Sequence, residues 1–509
     1  MKHESKLRSQ KIIDLLIEFS YLAIIFLVPL YFSVSLPTYN IFELSKLFIF
    51  KILVYLMLFL TVLKVVFYRS DFFLGNKSFF GFYSDFKKYY LVPLIFIIGL
   101  GFTLFFSANP WQSFFGSYDR QAGYLSYLYY ILWLFLLVFN LKTIDNHRDN
   151  DREKESLTTK LNHIFVAASF SGFLVSIYGI LQILGIDFLA WPEDPLFTRR
   201  TFSTLGQPNF LASWLLLVIP LSVYLIYKNR KFLIKFFYGL VLFSELICLF
   251  FTASRGAMLA LILVGIVFII YLAVSSKIEN KNKFKLFSVL FIFFILAVSI
   301  FSFNNPGRLK SLLDINKGSM AARVDYYSAA VKAIGQKPFF GYGLDNGAQA
   351  FFPYYQSSWS ISAKVGTITD RAHNLILDIL INGGFFALVL FGLFYFHFFR
   401  LVIKNISNKK YRDQSLAIFL GSAAYIISLF FNFSLVATEI YFFMFFAVVL
   451  AIESKTEDEP GLLGDEGGNL SQISFLSLLV AVAIFCSIGL GISYEFRVLK
   501  ADYYFQALY

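Results

Sequence analysis

The chain is made of apolar runs about twenty residues long, the length a helix needs to cross ~30 Å of hydrocarbon. They fall at 12–35, 45–67, 89–107, 122–141, 162–185, 209–227, 233–252, 256–275, 285–303, 375–399, 414–434, 436–453 and 473–493. The runs are apolar on all sides, whereas the strands of a membrane barrel alternate over segments of about ten residues. The expected class is therefore all-α, a polytopic membrane helix bundle of about 12–13 transmembrane helices. Composition agrees, because a chain that is 58% hydrophobic, 20% aromatic and 15% charged cannot hide that surface inside a water-soluble globule. The expected organisation is N-terminal transmembrane helices over 1–303, one long extracytoplasmic loop over 304–374, C-terminal transmembrane helices over 375–493 and a short extracytoplasmic tail over 494–509.

Cations in the short loops give the orientation. Lys2, Lys6, Arg8 and Lys11 precede the first run, Arg69, Lys77, Lys87 and Lys88 follow the second, and Lys142, Arg148, Arg152, Lys154 and Lys160 follow the fourth. The same side collects Lys228, Arg230, Lys231 and Lys235, then Lys277, Lys281, Lys283 and Lys285, then Arg400, Lys404, Lys409, Lys410 and Arg412. Every second loop is basic, which places those loops and the N-terminus in the cytoplasm. Segments 36–44, 108–121, 186–208, the Ser254-Arg255 turn and 304–374 then lie outside it. The net charge of +12 is a topology signal that faces membrane lipids, and no nucleic-acid partner is expected. Cys248 and Cys486 lie within apolar runs and support neither a disulfide framework nor a metal site. The first run carries Asp14 and Glu18 at span length and reads as a retained helix, not a cleaved leader. The acidic, glycine-rich stretch 454–472 reads as a flexible linker.

Ionisable groups near membrane depth default to functional candidates, and four clusters qualify. Thr198-Arg199-Arg200-Thr201 is followed by Gly206-Gln207-Pro208-Asn209 at the mouth of a run, where the bland alternative is a positive loop with Asn209 as helix N-cap. Thr252-Ala253-Ser254-Arg255-Gly256 is so tight a turn that Arg255 must lie at the membrane boundary, if only as a snorkelling arginine. Within the long loop, Ala322-Arg323-Val324-Asp325 opens a helix-like stretch that ends near Lys337, before a Gly341-Tyr342-Gly343 turn. The last cluster, Asp370-Arg371-Ala372-His373-Asn374, stands where the chain re-enters the membrane. Asn374, Asp378 and Asn382 then share one helical face, which should point into the bundle.

Several arginines without a carboxylate cage suit a phosphate-bearing substrate, because guanidinium binds phosphate through a bidentate fork and keeps its charge. A lipid diphosphate fits. The outer loops lack an Asp-x-Asp pair or a carboxylate-rich cluster for Mg²⁺ or Mn²⁺, so arginines would neutralise the leaving group and neither metal nor cofactor is expected. His373 would accept or align the proton of an attacking hydroxyl.

These motifs occur in the order found in the bacterial O-antigen ligase and O-antigen polymerase family, which includes protein O-oligosaccharyltransferases, and the chain resembles that family over roughly residues 200–400. The resemblance is carried by Gly206-Gln207-Pro208-Asn209 with Leu211-Ala212, Ser254-Arg255-Gly256, Arg323, Pro338-Phe339-Phe340-Gly341-Tyr342-Gly343, His373-Asn374 with Leu377, and Gly383-Gly384. Gln207 stands where members often carry Asn, and Asp378 where Glu is frequent. The resemblance implies a GT-C-type, metal-independent glycosyltransferase of the bacterial plasma (inner) membrane. Such an enzyme moves a glycan from an undecaprenyl-diphosphate-linked donor to a glycan, lipid-linked or protein acceptor on the outer face. Arg255, Arg323 and His373 would be catalytic, with Arg371, Arg199, Arg200, Gln207, Asn209, Tyr342 and Asn374 binding substrate. The acceptor, whether surface polysaccharide or protein, stays open. A transporter or flippase for a lipid-linked oligosaccharide is the rival from another class, since it too would want arginines and an internal polar stripe.

Overall fold

The computed structural model describes residues 2–33, 40–67, 90–142, 157–187, 189, 191, 200–274, 319–356, 359, 369–456 and 475–508. Among these there are helices and turns but no strand. Expectations for a span at 285–303, for Arg199, for most of the 454–472 linker and for several basic loops fall outside the described residues.

In chain order the helices are α1 (Lys2–Leu30), α2 (Glu43–Phe67), α3 (Leu91–Thr103), α4 (Pro110–Phe115), α5 (Tyr124–Lys142), α6 (Leu157–Ile183), α7 (Pro208–Lys228) and α8 (Phe232–Phe251). They continue with α9 (Arg255–Val274), α10 (Ser319–Gln336), α11 (Gly347–Phe351), α12 (Leu375–Ile406), α13 (Arg412–Ser428), α14 (Val436–Thr456) and α15 (Phe475–Leu508). Nine stretches among the described residues are long and apolar enough to cross a membrane, and 91–106 and 255–271 are shorter apolar helices. The chain is thus an all-α polytopic membrane bundle.

Two helices form its centre. The apolar windows of α14 and α7 are 94% and 83% buried, against 11% for α15 at the edge. α7 packs on α13, α6 and α8, while α14 packs on α5 and α12. Small and flat residues make these contacts close. Gly421 backs onto the Leu217 carbonyl, Trp214 meets Tyr441 edge to face, and buried Trp133 donates its indole N–H to the Ile440 carbonyl at 3.2 Å.

The structure departs from the sequence reading at three ends. α13 stops at Ser428, short of the expected 434: past it the amides of 429–432 still turn back on residues 425–429, but the carbonyls of Leu429, Phe430 and Phe431 are taken by Leu375, Asn374 and Arg323 from other elements. Pro208 opens α7, so Gln207 is its N-cap residue and Asn209 lies inside the first turn, not at the cap. α15 runs unbroken to Leu508, so the residues from Tyr494 on, expected as a short tail after a run ending at 493, continue the last apolar helix. Glu495 in that helix pairs with buried Lys51 of α2 at 2.9 Å.

α12 is broken at Gly383 and Gly384, the latter at φ 63° and ψ −161°, a region essentially closed to other residues. The break frees the carbonyls of Ile381 and Asn382 and the amides of Phe385 and Phe386. The turn at 338–343 takes all four. Tyr342 N–H donates to Ile381 O at 2.8 Å and Gly343 N–H to Asn382 O at 2.9 Å, while Phe385 N–H reaches Pro338 O at 2.8 Å and Phe386 N–H reaches Phe339 O at 3.1 Å. Backbone contact this close needs glycine on both sides: a Cβ on Gly384 would sit 2.3 Å from the Phe339 carbonyl carbon, and one on Gly341 2.5 Å from the Ile381 oxygen.

Gly384→Ala should therefore destabilise the protein by roughly 2 kcal/mol or more. Gly392→Ala, in the same helix with open space around it, should be neutral or stabilising by up to about 1 kcal/mol. Thermal unfolding of both in detergent checks the contrast, and equal midpoints would remove the interlock as its cause.

Candidate functional site

The connection between α13 and α14, residues 429–435, gathers groups that are far apart in the chain. Gly256 in the first turn of α9 lies against the Phe431 side chain, where an added Cβ would be 2.8 Å away. Arg323 of α10 donates from Nη2 to the Phe431 carbonyl at 3.0 Å. Asn374 donates from Nδ2 to the Phe430 carbonyl at 3.2 Å, and Leu375 N–H to the Leu429 carbonyl at 2.9 Å. Phe433 lies 5.1 Å from the imidazole of His373, between ring centroids. Arg255, Arg323 and His373 are thus brought to one place, with the two guanidinium groups in electrostatic range of each other and Arg323 in range of the imidazole.

His373 is held in the left-handed region at φ 57°, an uncommon geometry for a side-chain-bearing residue. Asp378, one turn into α12, fixes it by accepting the N–H groups on either side, from Ala372 at 2.6 Å and from Asn374 at 3.3 Å. Asn374 caps α12 by accepting from the amides of Ile376 and Leu377. Tyr326 of α10 stacks on the ring at 6.2 Å. Burial first, and then the charge of Arg323, push the imidazole pKa down to about 4 from 6.5. His373 is neutral at physiological pH.

Two further arginines are paired with carboxylates. Arg371 is buried and pairs with Asp345 at 2.5 Å. Arg120, from the loop between α4 and α5, pairs with Asp370 at 2.6 Å and lies 4.9 Å over the Phe433 ring. Burial raises the Asp370 carboxyl, but Arg120 beside it and then Arg371 together outweigh burial and hold it below its usual range. Asp345, itself at φ 59°, also accepts the N–H groups of Ser117 at 2.6 Å and Ala122 at 3.1 Å, tying the Arg120 loop to Arg371.

A second set of candidates lies beside the α8–α9 turn. Arg200 donates to the Thr252 carbonyl at 2.8 Å and to Asn209 Oδ1 at 3.0 Å, while Asn432 Nδ2 donates to the Asn209 carbonyl at 3.2 Å. Gln207 Oε1 is buried without a hydrogen-bond donor among the described residues. Tyr342 is not drawn into either set: its hydroxyl donates to the Ala333 carbonyl and its ring lies under Lys337.

Sequence reasoning missed Arg120, Asp345 and Phe433. Arg120 carried a usable signal as the lone cation of the 108–121 loop. Asp345, between the Gly343 turn and Gly347, resembled any turn aspartate, and nothing distinguished Phe433 among 66 phenylalanines.

Residues 238–392 match the family described as O-antigen ligase. That stretch contains Arg255, Arg323 and His373, while Arg120, Asn209 and the 429–435 connection lie outside it. The ComP-specific O-oligosaccharyltransferase of Acinetobacter baylyi is 26% identical over 339 residues, which cover 64% of this chain and 56% of that protein. The chain thus spans little more than half the length of this relative.

Asp345→Ala removes the acceptor of two backbone N–H groups and leaves Arg371 buried beside no carboxylate at that position, which should cost about 3–5 kcal/mol. Asp345→Asn, which keeps an acceptor and tolerates positive φ, should cost less. The unfolding midpoints of the two variants in detergent check the order, and a parental midpoint for the alanine variant would show that this link holds nothing.

Proposed function

We propose that the likeness to the O-antigen ligase family and to an O-oligosaccharyltransferase extends to activity, and that the chain transfers a glycan from a polyprenyl diphosphate carrier to an acceptor hydroxyl. The observation that carries this reading is the convergence of Arg255 and Arg323 beside the neutral imidazole of His373. Two like charges held together in a partly desolvated place favour a dianionic ligand, and undecaprenyl diphosphate is the bacterial carrier of that chemistry. The acceptor oxygen attacks the anomeric carbon, and its bond to the diphosphate breaks with the electron pair leaving on phosphate. Arg255 and Arg323 stabilise that charge through bidentate contacts. His373 takes the hydroxyl proton or aligns it. The cation-rich loops at the opposite end of the bundle support a position for this end outside the cytoplasm, at the outer face of the plasma membrane.

The carboxylates nearest the imidazole are engaged, Asp345 with Arg371, Asp370 with Arg120 and Asp378 with two backbone amides. Neutralising the leaving group therefore falls to guanidinium groups, and we expect turnover to persist in a chelator. Arg200, Asn209 and Gln207, whose Oε1 lacks a donor among the described residues, are offered as contacts for the donor sugar or its diphosphate. Arg371 and Asn374 would act by shaping the His373 loop, and Tyr342 by shaping the turn below it. Among acceptors, a protein hydroxyl is favoured by the name of the Acinetobacter relative; a polysaccharide or lipid-linked glycan is the other class.

Purified protein in detergent, given lipid-linked glycan and acceptor, should release undecaprenyl diphosphate, which separates an enzyme from a transporter. Arg255→Lys and Arg323→Lys keep the charge but lose the fork, and each should cost about 100-fold or more in kcat. Parental turnover by both folded lysine variants would refute the assignment.

The pH profile gives an independent check. In the free protein the acid limb of kcat/KM should lie near pH 4, because His373 must be neutral and its pKa is lowered to about 4. Bound diphosphate offsets the charge of Arg323, so the limb of kcat should move upward. Arg323→Gln removes a cation from beside the imidazole and should raise the kcat/KM limb toward 6.5, the ordinary value. An unshifted limb in that variant would show that another group titrates.

A further inference from the structure

We propose that the Pro338–Gly343 turn, with the end of α3 beside it, is a wedge set into the hydrocarbon of the bilayer, so that the membrane itself is a binding partner of the long loop. The depth follows from the backbone. Phe339 O accepts from Phe386 N–H in α12. Arg400, the first cation toward the other end of that span, lies fourteen positions along the helix from Phe386. At 1.5 Å per residue this is ~21 Å, well within the ~30 Å hydrocarbon layer. Phe339 therefore sits at the level of lipid chains although sequence order puts it in a loop between spans.

Its side chain is 69% exposed, and its neighbours at that level are exposed too: Phe105 by 83%, Phe385 by 51% and Phe102 by 45%. The rings form one surface, with Phe340 stacked on Phe106 at 4.0 Å and packed against Phe102 and Phe386. No charged residue occurs in 98–118 or 338–344. Exposed Lys332 and Lys337 lie in and just after α10, immediately before the turn, where cations meet lipid phosphates. All four backbone groups of the α12 break are satisfied by the turn, which is the condition under which an irregular backbone is tolerated at membrane depth. The occupant of this surface is thus lipid hydrocarbon. Anchored at its C-terminal end in this way, α10 is fixed in height, and Arg323 with it.

The test uses nitroxide spin labels on single cysteines in a Cys486→Ser background, with Cys248 buried and unreactive. Labels at Phe339→Cys, Phe105→Cys and Lys332→Cys are read in proteoliposomes permeable to the relaxing agents. The expected result is that labels at 339 and 105 collide with oxygen at least about tenfold more, relative to a water-soluble nickel chelate, than the label at 332. Two results overturn the proposal: an oxygen-to-nickel ratio at 339 equal to that at 332, which places the turn in water, and protection of 339 from both agents, which means that protein covers the surface. Turnover is not read, so the outcome stands apart from the glycan-transfer assignment.

Discussion

A polypeptide inside a membrane must satisfy its backbone hydrogen bonds from within the chain, and that constraint shapes both irregular places that matter here. At the break in α12 four freed groups are taken by the 338–343 turn. At the start of the same helix the amides around His373 are taken by Asp378, and those of the first turn by Asn374. The two solutions lie about two turns apart on one helix. α10 joins them from outside, with Tyr326 against the imidazole at one end and the turn at the other. The loop and the span therefore behave as one piece, which is what positioning Arg323 relative to His373 requires.

Two of the arginines are paired with carboxylates. Arg120 and Arg371 are paired with Asp370 and Asp345, and both lie over Phe433. They serve as struts whose charge is answered locally. Arg255 lies within electrostatic range of Arg323, and burial together with Arg323 depresses the basicity of His373. In the proposed reaction this arrangement would link binding to chemistry: the imidazole is a weak base before the anion arrives, and once the anion offsets Arg323 it would gain proton affinity when a hydroxyl proton has to be taken up.

Most of the architecture was legible because hydrophobic runs of span length leave few alternatives, and the helix at 319–336 and the break near Gly383-Gly384 carried local signals too. Arg255 and His373 stood out because ionisable groups at the boundary of an apolar run are costly, and Arg323 because it belongs to the motif order that the family resemblance carries. Arg120 obeyed the same rule but lay far upstream of the other clusters, and only the fold shows that the 116–122 loop reaches Asp370 and Asp345. The 429–435 connection was illegible for another reason. Its contribution comes mainly from backbone carbonyls and one aromatic ring, and neither differs in sequence from a span that simply continues.

The same geometry bears on the choice between enzyme and carrier. A transporter needs its site near the membrane midplane with routes to both sides. Arg255 opens α9, His373 directly precedes α12, and Arg323 and Arg120 lie outside the long apolar helices, so these groups share one end of the bundle. Below them the 94% burial of the apolar window of α14 and the ring packing of Trp133, Trp214 and Tyr441 close the centre. A lipid-linked substrate meeting this site needs only its head group to leave the bilayer plane while the chain stays in lipid, which suits transfer between head group and acceptor at one surface better than passage across it.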